Sequence, residues 1–175
     1  EEIRVWSADG EVLIASITVK LHLISPAVTE GLVKAVEIAE AKYQGLVIWS
    51  PDDVFSAGAN LEALLPVFMK LGAKGIKPEE KKLQDAMLRI RYAQVPVVSA
   101  MRGLALGGGC ELAVHSARRV AHMETYIGLV EVGVGLIPGA GGLKEGALRA
   151  AQAAQSAGMT DVFPFMKNWF LNAAM

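Results

Sequence analysis

The sequence predicts a single α/β domain in which buried strands run through small-residue loops into helices. Short apolar runs alternate with longer segments of helical period along the whole chain. Two of the strand-to-helix junctions, FSAGAN (residues 55–60) and GLALGGG (103–109), are almost bare of side chains. With 175 residues and 53% apolar composition, the chain can bury a substantial core in one domain.

The elements follow in order. IRVWSADGEVLIASI (3–17) holds two strand-like runs around Asp9-Gly10, a hairpin turn pair. Ser25 caps and Pro26 opens an amphipathic helix, PAVTEGLVKAVEIAEAKY, with apolar positions Val28, Leu32, Val36 and Ile38. GLVIWS is a short buried strand. A loop, PDDVFSAGANLEA, precedes a helix ending near Leu71, and Gly72, Gly75 and Pro78 mark a flexible basic connection. A charged helix from Glu79 to about Ala93 leads into the strand VPVVSAM. The glycines, the helix CELAVHSA, the strand RRVAHM, the loop GLVEVGVGLIPGAGG, an Ala-rich helix over about 142–154 and an aromatic-bearing helix close the chain. No repeat of fixed period and no low-complexity segment interrupts this order.

Composition excludes several classes of function. A formal net charge of −1 gives no electrostatic case for nucleic acid or an anionic membrane as partner. No apolar run reaches the roughly 18 residues of a membrane helix, and EEIRVWSADG has neither the basic nor the apolar part of a signal peptide. The single cysteine, Cys110, makes neither an internal disulfide nor a cysteine zinc site, so a reducing cytoplasm is expected and no metal is. Cys110 itself reads as a small buried thiol, with no histidine in a recognisable arrangement to activate it. Residue 1 is not Met, and DVFPFMKNWFLNAAM lacks a stop signal, so the sequence reads as part of a longer chain.

The glycines carry the chemistry. A helix N-terminus presents unpaired N–H groups and partial positive charge, and glycine lets another molecule approach that backbone. Gly107-Gly108-Gly109 therefore suit an anion or a developing oxyanion; a tight turn packed on a neighbouring strand would use the same residues. An acyl oxygen needs two convergent donors, which two small-residue loops can supply; Ala59 N–H and Gly108 N–H are the candidates. Glu111 falls in the first turn of its helix, where helix-end stabilisation alone is worth under about 1 kcal/mol. Glu131 is set among apolar residues and glycine in YIGLVEVGVGLIP, where a charge is costly to bury without a task, an exposed loop position being the alternative. Two carboxylates meeting in an apolar pocket push their pKa values apart, leaving one protonated and one ionised.

FSAGANL (55–61), GLALGGGCELAV (103–114) and GLVEVGVGLIPGAGG (128–142), in this order and with Glu131 twenty residues after Glu111, resemble the enoyl-CoA hydratase/isomerase (crotonase) family. The likeness is best over about residues 45–150. ETYIGLVEVGVGLIPGAGGLKEGALRAA is most similar to the hydratase modules of bacterial 3-hydroxyacyl-CoA dehydrogenases of fatty-acid oxidation. The resemblance implies a spiral of ββα units with surrounding helices, C-terminally truncated here because the family continues past the glycine-rich loop, and trimers or paired trimers for the full-length chain. It implies hydration of trans-2-enoyl-CoA in β-oxidation, with double-bond isomerisation, another crotonase-type reaction, or acyl-CoA binding without turnover as alternatives. Carried over, Ala59 and Gly108 match the oxyanion donors and Glu111 and Glu131 the paired catalytic glutamates. Of the pair, Glu131 would protonate C2 and Glu111 would activate water. Ala57, Ala59 and Leu61 fall where the family holds the adenine end of coenzyme A, which enters as part of the substrate; no permanently bound cofactor is implied. Asn60 departs from the Asp of many members.

Other residues carry less. Lys20 and His22 read as a surface lysine and a packed histidine, with contact to coenzyme A phosphates the alternative. Lys70, Lys74 and Lys77 read as a solvated face, His115 as a helix or interface residue, and Trp169-Phe170 as core or a contact to further structure. GVGLIPGAGG resembles a dinucleotide fingerprint superficially, but Gly133, Gly135 and Gly139 have the wrong spacing, and no acid follows on a second strand.

Overall fold

The computed structural model describes residues 2–173; Glu1, Ala174 and Met175, the last two belonging to the unstopped C-terminal pattern, lie outside the described residues. β1 (Ile3–Trp6) and β2 (Val12–Ile17) form the expected antiparallel hairpin, its turn braced by the Asp9 carboxylate, which accepts the Glu11 and Val12 amides. β3 (Gly45–Trp49), β5 (Val97–Met101) and β7 (Arg118–Ala121) then add in parallel, giving the sheet order β1-β2-β3-β5-β7. Strand periodicity places Leu13, Ala15 and Ile17 of β2, Leu46 and Ile48 of β3, and Val97 and Met101 of β5 on one buried face. Against these residues pack α1 (Pro26–Lys42) and α3 (Ala73–Arg91).

α1 starts where the sequence places it. Ser25 Oγ accepts the Val28 amide and Pro26 occupies the first turn. Its buried stripe is Val28, Leu32, Ala35, Val36 and Ala39; Ile38 is 38% exposed, a correction that follows from its falling about 100° from the centre of that stripe on the helical wheel. A two-pronged Arg89–Glu40 ion pair fastens α3 to α1, and Glu40 also accepts the Gln94 amide. The Arg89 guanidinium beside it holds the Glu40 carboxyl down at about 2.

The connection expected to be flexible at residues 72–78 is helical. α2 (Leu61–Leu71) breaks only at Gly72, at φ +61°, and α3 starts at Ala73 and runs straight through Gly75 and Pro78. Pro78 lacks the amide that would bond the Lys74 carbonyl, and packing of α3 on α1 and α2 outweighs that loss. α2 has no buried residue, and Leu65, Phe68, Met69 and Leu71 are exposed along it.

A second sheet, absent from the sequence reading, decides where the site lies. β4 (Val54–Ser56), β6 (Leu104–Leu106) and β8 (Tyr126–Gly128) are parallel, in the order β4-β6-β8. Each is three residues long, too short to show a period. β6 feeds α4 (Gly108–His115), and α5 (Gly142–Ser156) and α6 (Phe163–Ala173) complete the order, with the Trp169 ring lying over Gly146 and edge-on to Phe170.

Gly103, at φ +63°, brings β6 to β4 at such close range that an added methyl would lie 1.8 Å from the Asp53 carbonyl oxygen. Gly103→Ala is therefore expected to destabilise the fold by about 3 kcal/mol, read as a lowered urea midpoint. No helix among the described residues is long and apolar enough to cross a membrane.

Candidate active site

The C-terminal ends of β4, β6 and β8 deliver three loops to one place. The first leaves β4 at Ser56 and lies along residues 21–24 as on a template. Ala57 N–H donates to the Leu21 carbonyl, Ile24 N–H to Gly58, and Asn60 N–H to Ile24, while Gly58 N–H donates to Ser56 Oγ. Of the four amides from 57 to 60, only that of Ala59 has no acceptor among the described residues. The template is itself held in an uncommon conformation, with Leu21 and His22 at φ +54° and +48°. His22 is buried, its Nδ1 2.7 Å from Ser50 Oγ and 2.5 Å from the Val54 carbonyl oxygen, and its own carbonyl accepts the Ser56 hydroxyl. It is the packed histidine of the sequence reading, and it braces the loop carrying Ala59. Lys20, Lys70, Lys74 and Lys77 are exposed.

The second loop is Gly107-Gly108-Gly109. Gly107, at φ +51°, donates its amide to the Gly128 carbonyl at the end of β8, and α4 begins at Gly108. A methyl built on Gly108 would stand 3.5 Å from the Ala59 nitrogen, and one on Gly58 3.1 Å from the Gly108 nitrogen. The two glycine-bearing loops are thus in direct contact, and the Ala59 and Gly108 amides lie side by side. The Gly108 amide, first in its helix, has no backbone carbonyl to bond in the preceding turn. Asn60, the departure noted above, caps α2 by accepting the Ala63 amide. Ala57 and Ala59 are half-buried and Leu61 is exposed at the start of α2.

Both acids come to the same loops. Glu131 starts a 3₁₀ turn, Glu131–Val134, just past β8, and a methyl on Gly107 would lie 3.2 Å from its Oε1. Its Oε2 is buried without a hydrogen-bond partner among the described residues. Glu111 is 2% exposed in the first turn of α4, and its Oε1 accepts the Gly142 amide at 2.8 Å, from the first residue of α5. Burial pushes the Glu111 carboxyl up to about 7, helped by the nearby Glu131 charge and opposed by the Gly142 and Ala140 amides. Burial raises Glu131 as well. Such an arrangement can hold a proton near neutrality and move it between a carbon and a water.

Cys110 beside them is buried, its thiol pushed up to about 12 by desolvation first and then by the neighbouring carboxylates, which makes it inert. His115, one turn beyond Glu111, donates from Nδ1 to the Glu111 carbonyl at 2.7 Å. With Glu145, Arg91 and Arg149 it forms a buried polar junction between α3, α4 and α5, so it is an interface residue. Among the described residues no group of three His, Cys, Asp or Glu side chains is placed to hold a metal ion. A third carboxylate, Glu80 of α3, adds to the field on both acids; in the sequence it is one charge within KPEEKK and carries no signal.

Comparison with known proteins shows the family. The family pattern described as enoyl-CoA hydratase/isomerase matches residues 15–160, most of the chain. The chain belongs to the enoyl-CoA hydratase/isomerase family. Its similarity to other family members extends to a Bacillus subtilis protein named "Probable 3-hydroxyacyl-CoA dehydrogenase", 40% identical over 126 residues, 72% of this chain and 16% of that one. The peroxisomal bifunctional enzyme of Cavia porcellus is 38% identical over 125 residues, 70% of this chain and 16% of that one. The chain therefore spans less than a fifth of the length of these relatives. Among solved structures, an enoyl-CoA hydratase from Polaromonas superposes with a TM-score of 0.78 at 26% identity, covering 87% of this chain and 61% of that one. One from Bacillus anthracis, at 21% identity and a TM-score of 0.75, covers all of this chain and 70% of its own, and shows the shared fold.

Proposed function

We propose that this chain carries the hydration site for trans-2-enoyl-CoA, forming the 3-hydroxyacyl thioester. The observation that carries the reading is the adjacency of two main-chain amides, Ala59 and Gly108, to the buried Glu111 and the half-buried Glu131. In the proposed reaction the amides donate to the thioester oxygen, which gains charge as water adds. The water oxygen forms a bond to C3, the C2–C3 π pair moves toward the carbonyl as an enolate, and Glu111 takes the water proton. Glu131 gives its proton to C2 as the enolate collapses. The proton gained by Glu111 then replaces the one Glu131 lost, so no net proton is consumed. Oxyanion donors of this type are each worth on the order of 3 kcal/mol of barrier.

Coenzyme A enters with the substrate, its adenine end beside Ala57, Ala59 and Leu61. Assembly into trimers or paired trimers in the full-length protein and action in the cytoplasm are part of the same proposal. The test is loss of the enoyl absorbance of crotonyl-CoA with 3-hydroxybutyryl-CoA identified as product. Conversion of a 3-enoyl-CoA at a greater rate would make isomerisation the activity instead. A second reading, acyl-CoA binding without turnover, is favoured by the exposure of Val132 (70%) and Ile137 (75%) on the loop that bears Glu131; calorimetric binding without product would establish it.

The pH dependence follows from the acids. The working pair holds one proton: with two there is no base, with none no acid. Burial raises both groups, so the alkaline limb of kcat/KM is displaced upward from the carboxylate range. It is expected near 7, where burial places Glu111, because the limb reports loss of the one proton the pair shares, whichever acid carries it.

A further inference from the structure

The loop that brings Gly142 to Glu111 is held from its other side by α3. Gln84 Nε2 donates to the Gly139 carbonyl at 2.7 Å, and one helical turn earlier the Glu80 carboxylate sits directly on Gly139. A methyl built on Gly139 would lie 1.8 Å from Glu80 Oε1, so only glycine at 139 leaves that seat open. Glu80 is partly buried, and among the described residues no hydrogen bond or ion pair is made to its carboxylate. Most cations around it are committed elsewhere: Lys81 to Asp85, Lys82 to Glu79, Arg89 to Glu40, and Arg91 to Glu145 together with Arg149 and Lys144, while Lys77, one turn earlier on α3, is exposed and makes no ion pair with Glu80 among the described residues. The ionisable groups that share its field across the loop are Glu111 of α4 and Glu131 of the 3₁₀ turn. α1 contributes Glu37 and Glu40 on the Arg89 side, and α2 contributes Glu62 and Lys70, both exposed. A partly desolvated carboxylate with no cation has one physical effect on neighbouring acids: it disfavours their ionised forms.

We propose that Glu80 is a positioning residue of this site, a third carboxylate seated on Gly139 whose charge keeps the shared proton on the Glu111–Glu131 pair. The inference rests on the hydratase reading for its catalytic meaning but not for its electrostatics. Burial raises Glu80 itself, and its charge adds to the raised positions of both Glu111 and Glu131. The consequence is a site that keeps its acid form to higher pH than two carboxylates would alone.

The test is a ¹³C NMR titration of glutamate-labelled protein, with the Glu111 and Glu131 resonances assigned from Glu111→Gln and Glu131→Gln, beside the pH profile of kcat/KM. Glu80→Gln and Glu80→Ala are expected to move both glutamate midpoints, and the alkaline limb, down by roughly half a unit to one unit. Glu80→Asp, which restores the charge, is expected to recover most of the shift. Gln84→Ala, which loosens the same loop without changing charge, is expected to move neither midpoint down; any shift is upward at Glu111, whose carboxylate would lose the Gly142 and Ala140 amides. Midpoints that move in a protein with no hydratase activity support the electrostatic role and overturn the hydratase reading. Hydratase activity with unmoved midpoints in the neutral variants, or a shift in only one of them, overturns the role of Glu80.

Discussion

Glu111→Gln and Glu131→Gln are each expected to lower kcat for crotonyl-CoA hydration by roughly 10²- to 10⁴-fold, the range for removing a positioned acid or base. The fold should survive both. Gln retains the shape of Glu, and at 111 its carbonyl oxygen can still accept the Gly142 amide that Glu111 accepts now. Glu111→Gln should in fact raise stability at alkaline pH. The folded protein holds this carboxyl at about 7 against an ordinary value of 4.5, chiefly because burial disfavours the charge. A raised acid contributes no penalty below the ordinary value, and the penalty accrues as pH rises from about 4.5 to about 7. Above that, wild type carries a cost on the order of 3 kcal/mol that the neutral variant lacks. The expected pair of results is an inactive Glu111→Gln protein whose Tm at pH 8 exceeds that of wild type while the two match near pH 4. Activity within a few-fold of wild type in either variant would remove that residue from the chemistry.

Gly58→Ala is expected to cost roughly 10²- to 10³-fold in kcat, as large as losing an oxyanion donor. Gly58 is at φ +93°, and its added methyl would stand 2.8 Å from the Leu106 carbonyl oxygen and 3.1 Å from the Gly108 nitrogen. Both contacts are main chain, so neither can swing aside; the loops from β4 and β6 must part, and the Ala59 and Gly108 amides part with them. Gly10→Ala separates this from strain alone: Gly10 is at φ +82° with nothing within 4 Å of the added methyl. It should lose stability and keep kcat. Equal rates in the two variants would mean that the two amides do not act together.

The candidate site was legible in the sequence where residues defy their surroundings. Three adjacent glycines at a helix start, and Glu131 among valines and glycines, break the usual match of side chain to environment, and such breaks concentrate at sites. What stayed hidden depends on partners far along the chain. β4, β6 and β8 gain their strand character from one another rather than from any pattern within three residues. Gly75 and Pro78 looked like a break because propensity argued against a helix that packing on α1 and α2 sustains. Glu80 looked like one solvated charge in a run, and only the backbone of Gly139 beneath it makes it part of the site.

In the proposed reaction, the oxygen-binding half of the site consists of amide groups that every residue but proline carries. Point substitution can replace either acid and redirect where a proton goes, yet it cannot delete those N–H groups short of distorting the loops that aim them. On that reading, a lineage built on this scaffold can trade one reaction for another while the proposed means of stabilising the enolate passes down untouched.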